Sequence, residues 1–179
     1  MTPRRLTLIG IKHCGKSTLG KALAAELNWR FLDADALLAE RHHLAVRDLF
    51  RRVGETRFRE LEAELIGELA GKDLPDTVLA LGGGAADNRF IPPTVWEQLQ
   101  PVLMLDVADA TAERRTFADG IPAYLSSAAD PAAELRRINA GRREVMRKIA
   151  RAEFRLADEA DIAETVRDLK TFLRAGNYL

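Results

Sequence analysis

The sequence predicts an α/β layered domain built on a mostly parallel sheet, and three observations carry that expectation. Short apolar runs alternate with longer segments of helical periodicity from one end of the chain to the other. The runs Thr77–Leu81 and Val102–Leu105 lack the polar alternation of a half-exposed strand, as strands covered on both faces do. Three runs stop abruptly at Gly10, Gly82 and Asp106, where an open parallel sheet turns into its loops.

The elements follow in order. Leu6–Ile9 is a β-prone run ending at Gly10, and the segment after Gly15 places Leu19, Ala22, Leu23 and Leu27 on one helical face. Arg30–Leu32 reads as a second strand. From Asp35 to Gly71 the chain is mostly helix, in segments marked by Leu37 and Leu38, then Val46, Leu49, Phe50 and Val53, then Phe58, Leu61, Leu65 and Leu69. Strands at Thr77–Leu81 and Val102–Leu105 come next, then a helix at Asp109–Phe117. Ala118–Pro131, with Gly120, Pro122, Ser126 and Ser127, reads as a loop long enough to be a lid. A long amphipathic helix from about Ala132 to Ala152, a strand at Phe154–Leu156 and a closing helix from about Ile162 to Arg174 complete the pattern. At 179 residues, 47% hydrophobic and 30% charged, the chain is expected to fold as one domain spanning 1–179 with a core of its own.

Charge and composition remove several function classes. Lys and Arg total 27, as do Asp and Glu, so no global positive field gathers nucleic acid or an anionic membrane. Cys14 is the sole cysteine and cannot form an intrachain disulfide. Leu6–Ile9 is too short for a signal-peptide core, and no apolar run approaches the ~18 residues of a membrane span. The expectation is a cytoplasmic protein with no nucleic-acid partner and no membrane association; the oligomeric state is open, with a monomer favoured.

Four motifs carry chemistry. Gly10-Ile11-Lys12-His13-Cys14-Gly15-Lys16-Ser17 fits G-x4-G-K-[ST] between a strand and a helix. In such a loop backbone N–H groups converge on phosphate oxygens, Lys16 reaches the β- and γ-phosphates and the Ser17 hydroxyl meets Mg²⁺. Asp33-Ala34-Asp35 follows the second strand at the ligand-binding end of the sheet, where its carboxylates either serve a cation and a substrate hydroxyl or cap the next helix. Arg59 and Glu62 share a helix face at i, i+3, which alone is an ordinary surface pair. Gly82-Gly83-Gly84 is either a flexible turn or a place where backbone approaches a ligand closely. Eight basic residues in Glu134–Arg155 read as a solvated helix face.

In this order and spacing, Gly10–Ser17, Asp33–Asp35, Phe58-Arg59-Glu60-Leu61-Glu62 and Gly82–Gly84 resemble the shikimate kinase family of the P-loop kinase superfamily. The resemblance covers about the first hundred residues well and the remainder loosely. It implies a P-loop kinase fold: five parallel strands flanked by helices, a substrate-binding helical segment near 35–65 and a lid near 112–128. It also implies transfer of phosphate from ATP to the 3-hydroxyl of shikimate, on the route to aromatic amino acids. On the same resemblance, Lys16 stabilises the transferring phosphoryl, Ser17 and Asp33 hold Mg²⁺, and Asp35 orients and deprotonates the hydroxyl. Gly10, His13, Cys14, Gly15, Thr18 and Arg114, or its neighbour Arg115, line the nucleotide. Arg59 and Arg142 pair with the substrate carboxylate, a use for which guanidinium forks are suited. Gly82, Gly83 and Gly84 present backbone to the substrate, and Phe50 and Phe58 wall its ring.

The chain departs from that pattern in two places. Residue 13 is His where the family has glycine, and residue 14 is Cys where it has serine or alanine. The lid carries no Lys or Arg between Thr116 and Ala133, while Asp119 and Asp130 add negative charge, so the family's lid arginine is missing. A phosphoryl-transfer arginine can contribute ~10³–10⁵ in rate. Two alternatives therefore stand beside the kinase: a catalytically impaired nucleotide-binding homologue, with Arg136 a candidate replacement cation by sequence proximity, and a kinase of another hydroxylated acid such as gluconate.

Overall fold

The computed structural model describes residues 5–118, 120–158 and 161–179. Asp119, one of the two acids read in the lid, lies outside the described residues. Five strands, β1 (Arg5–Ile9), β2 (Arg30–Asp33), β3 (Thr77–Ala80), β4 (Val102–Asp106) and β5 (Ala152–Arg155), form one parallel sheet in the order β2-β3-β1-β4-β5. The helices are α1 (Lys16–Leu27), α2 (Ala34–His42), α3 (Val46–Gly71), α4 (Pro93–Gln98), α5 (Asp109–Phe117), α6 (Pro131–Ile149) and α7 (Ile162–Ala175), with a 3-10 turn at Ala123–Leu125.

The three central strands are buried almost end to end, which is why they read as apolar runs. Leu6, Leu8, Val78, Leu79, Leu103 and Met104 are sealed from water between the helix layers. Truncating one such leucine to alanine typically costs ~2–5 kcal/mol. Chain order brings β1 between β3 and β4, so the loop after β1 emerges where the strand order switches sides, the position at which open parallel sheets bind ligands. Gly20 on α1 lets that helix sit close to the sheet: a Cβ there would lie 2.7 Å from the Phe31 ring and 3.0 Å from Leu8 Cδ1.

Two elements depart from the sequence reading by more than a residue, and one helix is additional to it. The sixth helix ends at Ile149 instead of reaching Ala152, because Ala150 turns extended (φ −71°, ψ 138°) to start the next strand. That strand is Ala152–Arg155 in place of Phe154–Leu156, and its burial alternates as an edge strand's does. The short helix α4 was not anticipated; its prolines, Pro92 and Pro93, sit at the N-cap and first turn, where no amide hydrogen is required. The long helical tract divides as expected between Val53 and Phe58, at Gly54 (φ 78°, ψ 169°), a conformation that favours glycine.

Candidate active site

The loop after β1 is shaped by its own backbone. A Cβ on Gly10 would fall 2.4 Å from the Leu105 carbonyl oxygen and 2.7 Å from Cys14 Sγ, so only glycine lets the loop lie against the end of β4. Gly15 (φ 104°) turns the chain into α1. Lys16, the first residue of that helix, is buried, and its ammonium donates to the carbonyls of Gly10 (2.9 Å) and Ile11 (3.0 Å). The side chain spans the loop it is expected to serve.

His13 occupies the left-handed region (φ 62°), where glycine has no steric penalty. Its carbonyl accepts a hydrogen bond from Arg115 Nη1 at 3.2 Å. Of the two candidates on α5, Arg115 is the one that reaches the loop and lines the adjoining cavity. Cys14 is buried, with Sγ 3.7 Å from Lys16 Nζ, and packs as a small core residue.

Asp33 uses one oxygen to cap the next helix and the other to meet Ser17. Its Oδ1 accepts from the backbone N–H of Asp35 (3.0 Å) and Ala36 (3.2 Å), capping α2, while Oδ2 accepts from the Ser17 hydroxyl at 2.5 Å. A carboxylate oxygen and a hydroxyl in contact beside a phosphate loop form a hard-oxygen pair. Mg²⁺ is bound by one or two such groups together with phosphate and water, so the donor set fits that ion.

Asp35 lies in the first turn of α2 and faces the same cavity, of about 530 Å³, as Lys12, Lys16, Ser17 and Gly83. Burial pushes its carboxyl above the usual range; Asp33 and Glu62 add to the rise, and Lys16 and Lys12 oppose it. The triple glycine makes room for this cluster. A Cβ on Gly82 would meet Asp35 Oδ1 and Glu62 Oε1, both at 2.8 Å, and one on Gly83 would sit 2.9 Å from the Lys12 backbone nitrogen.

Across the cleft Arg59 donates to Glu62 Oε2 (3.1 Å) and to the Gly84 carbonyl (2.9 Å). Buried Glu62 also accepts from Asn88 Nδ2 at 2.9 Å, which fixes the acid that holds the arginine. Arg142 reaches over from α6, and Asp87 contacts both guanidiniums. Phe50 and Phe58 meet edge to face with ring centroids 5.4 Å apart, Phe58 buried and Phe50 open to solvent. Directly after Arg142 on α6, Arg143 binds Asp106 (2.8 Å), Asp109 (2.6 Å) and the Val107 carbonyl (2.9 Å), tying that helix to the end of β4.

Comparison with known proteins decides the family. The model of the shikimate kinase family matches residues 12–173. The chain belongs to the shikimate kinase family. A shikimate kinase of Bacteroides fragilis is 46% identical over 123 residues, covering 65% of this chain and 68% of the relative. One from Geobacter sulfurreducens is 49% identical over 82 residues, 46% of this chain, and the match spans less than half, 44%, of that relative's length. The crystal structure of shikimate kinase from Bacteroides thetaiotaomicron superposes with a TM-score of 0.77 at 31% identity, covering 95% of this chain and 98% of that one.

Within this family member the structure gathers His13, Cys14, Gly15, Lys16, Ser17, Asp33, Asp35 and Gly83 around one cavity, with Thr18 at its wall and Gly10 tied to it through the Lys16 ammonium. Arg59, bonded to Gly84, is joined to Arg142 through Asp87 as a second group, while Phe58 pairs with Phe50. Sequence reading had not singled out Lys12, Asp87, Asn88, or the wall made by Leu156, Ala157 and Thr165 after β5. The expected lid opens within α5, and its later part is held by Leu125, which is fully buried, while Ile121 and Tyr124 are exposed. Arg136 is paired with Glu113 Oε1 at 2.7 Å, on α5. Among the described residues no helix is long and apolar enough to cross a membrane.

Proposed function

We propose that this chain transfers the γ-phosphoryl group of ATP to the 3-hydroxyl of shikimate. It would do so as a single domain with its substrate segment at about 35–65 and its lid at about 112–128. The observation that carries this reading is the meeting of Lys16 and Asp35 in one cavity: a phosphate-loop cation and a carboxylate whose environment raises its basicity. The relatives' shared name supports the choice of acceptor.

The chemistry is positioning and electrostatics. Lys16 exchanges its loop carbonyls for the β- and γ-phosphate oxygens, while the backbone N–H groups of the loop hold the same oxygens. Ser17 and Asp33 would hold Mg²⁺, which when bound neutralises phosphate charge. Asp35 accepts a hydrogen bond from the 3-hydroxyl and takes its proton as the new O–P bond forms and the bond from phosphorus to the β,γ-bridging oxygen breaks, releasing ADP. A carboxyl shifted upward is a better base than an ordinary one. Arg59 and Arg142 receive the substrate carboxylate, Phe58 and Phe50 flank the ring, and Gly82–Gly84 allow close approach. Arg115 and Lys12 supply beside the loop the positive charge that the stretch between Thr116 and Ala133 lacks.

That lid favours a second reading, a nucleotide-binding homologue of low turnover. Steady-state ADP release separates the two. Shikimate-dependent, saturable ADP production that Asp35→Asn abolishes supports the kinase, whereas calorimetric ATP binding without turnover on shikimate supports the homologue.

A further inference from the structure

Asp87 belongs to none of the motifs read from the sequence and has no part in the chemistry above, yet it stands between the two arginines assigned to the substrate carboxylate. Each of its oxygens faces a different guanidinium. Oδ1 lies 3.8 Å from Arg59 Nη2, and Oδ2 accepts from Arg142 Nε at 3.2 Å. The Nη1 of Arg59 is engaged by Glu62 and Gly84, so the edge that Asp87 meets is the one turned away from that anchor. Both arginine side chains are 19% exposed and that of Asp87 34%, which places the contact where solutes reach it.

We propose that Asp87 is a resident carboxylate in the acid-binding subsite, competing with the substrate's own carboxylate and so setting the affinity for hydroxylated acids. The inference rests on the shikimate kinase reading given above. An acid bridging two guanidiniums through separate oxygens is the arrangement an incoming carboxylate would adopt. Two acids cannot share it, because like charges in contact repel. Substrate binding therefore requires the Asp87 side chain to swing away, and its place just beyond Gly82–Gly84 leaves it on a loop, not inside a helix or strand. A purely scaffolding Asp87 would have the opposite signature, since removing it would loosen both arginines and weaken binding.

Asp87→Asn tests this, with shikimate and its uncharged methyl ester as paired substrates. The expected result is a KM for shikimate lowered roughly two- to fivefold, the scale of one partly exposed ion pair, with kcat unchanged. The KM for the ester stays where it was. A shikimate KM that is unchanged or raised, or an ester KM that falls in parallel, overturns the inference and leaves the kinase reading intact if the parent protein turns shikimate over. If the parent protein does not, that reading fails by itself, and calorimetric titration of shikimate into both proteins decides the inference: tighter binding to Asp87→Asn sustains it, and equal or no binding overturns it. Asp87→Ser, checked for a native melting transition, gives the same comparison if the Asn variant does not fold.

Discussion

Replacing Arg143 with methionine removes a guanidinium that ties three pieces of the active-site frame together. Its Nε and Nη1 bind Asp106 and Asp109, its Nη2 binds the Val107 carbonyl, and only 10% of its side chain is exposed. Asp106 is 2% exposed and would be left as an uncompensated buried charge. Breaking a buried pair from one side costs about 3–5 kcal/mol, and a protein of this length loses ~2–4 °C of Tm per kcal/mol. Arg143→Met should therefore lower Tm by roughly 6–20 °C. Because Arg142 is the neighbouring residue, KM for the acid substrate should also rise. Urea unfolding at neutral pH provides the free energy, and the double variant Arg143→Met with Asp106→Leu provides the control. An apolar pair of similar volume removes the stranded charge and should recover most of the loss. A single variant that loses less than ~1 kcal/mol, the range of an exposed ion pair, would refute the assignment of this clamp as a buried one.

Three further outcomes are expected. Gly83→Ala places a Cβ 2.9 Å from the Lys12 backbone nitrogen and 3.1 Å from its Cα, so the phosphate loop must move; a stability loss of ~1–3 kcal/mol and a raised KM for ATP should follow, measured by urea unfolding and ADP release. Asp35, with its carboxyl raised mainly by burial, should set an acid limb of kcat/KM above the ordinary carboxylate range of ~3.9. The folded protein holds that proton more tightly than the unfolded chain, so Asp35 favours folding below its unfolded pKa and loses that contribution as pH rises through the folded value; Asp35→Asn should be inactive yet more stable at neutral pH by urea unfolding. Arg142→Ala removes a charged donor from the proposed acid subsite and should raise the shikimate KM ~10- to 100-fold while leaving the KM for ATP unchanged in steady-state assays.

The parts of this fold that were legible are those whose physics is local. Strands β1, β3 and β4 are buried on both faces, so their sequences carry no competing polar pattern, and glycine or aspartate marks where each one stops. The edge strand β5 packs as an alternating ribbon, and with only four residues it left too short a pattern to fix its start. The phosphate loop was legible because its function resides in backbone geometry that glycine spacing encodes. The dual use of Asp33 was not, since its two oxygens look the same in sequence and are divided only by where Ser17 and the start of α2 fall. Asp87 and Asn88 become part of the site through partners 26 to 55 positions away, a distance over which no spacing rule operates. Arg115 and Arg114 are adjacent and chemically identical, so only the angle of α5 against the loop separates them.

The most direct test is to let the purified protein act on shikimate with ATP and Mg²⁺ and to locate the phosphate in the product by ³¹P–¹H correlation. Coupling of phosphorus to the proton on carbon 3 is the predicted result. Phosphate on another hydroxyl, or ATP consumed with no phosphorylated acid formed, would contradict the account.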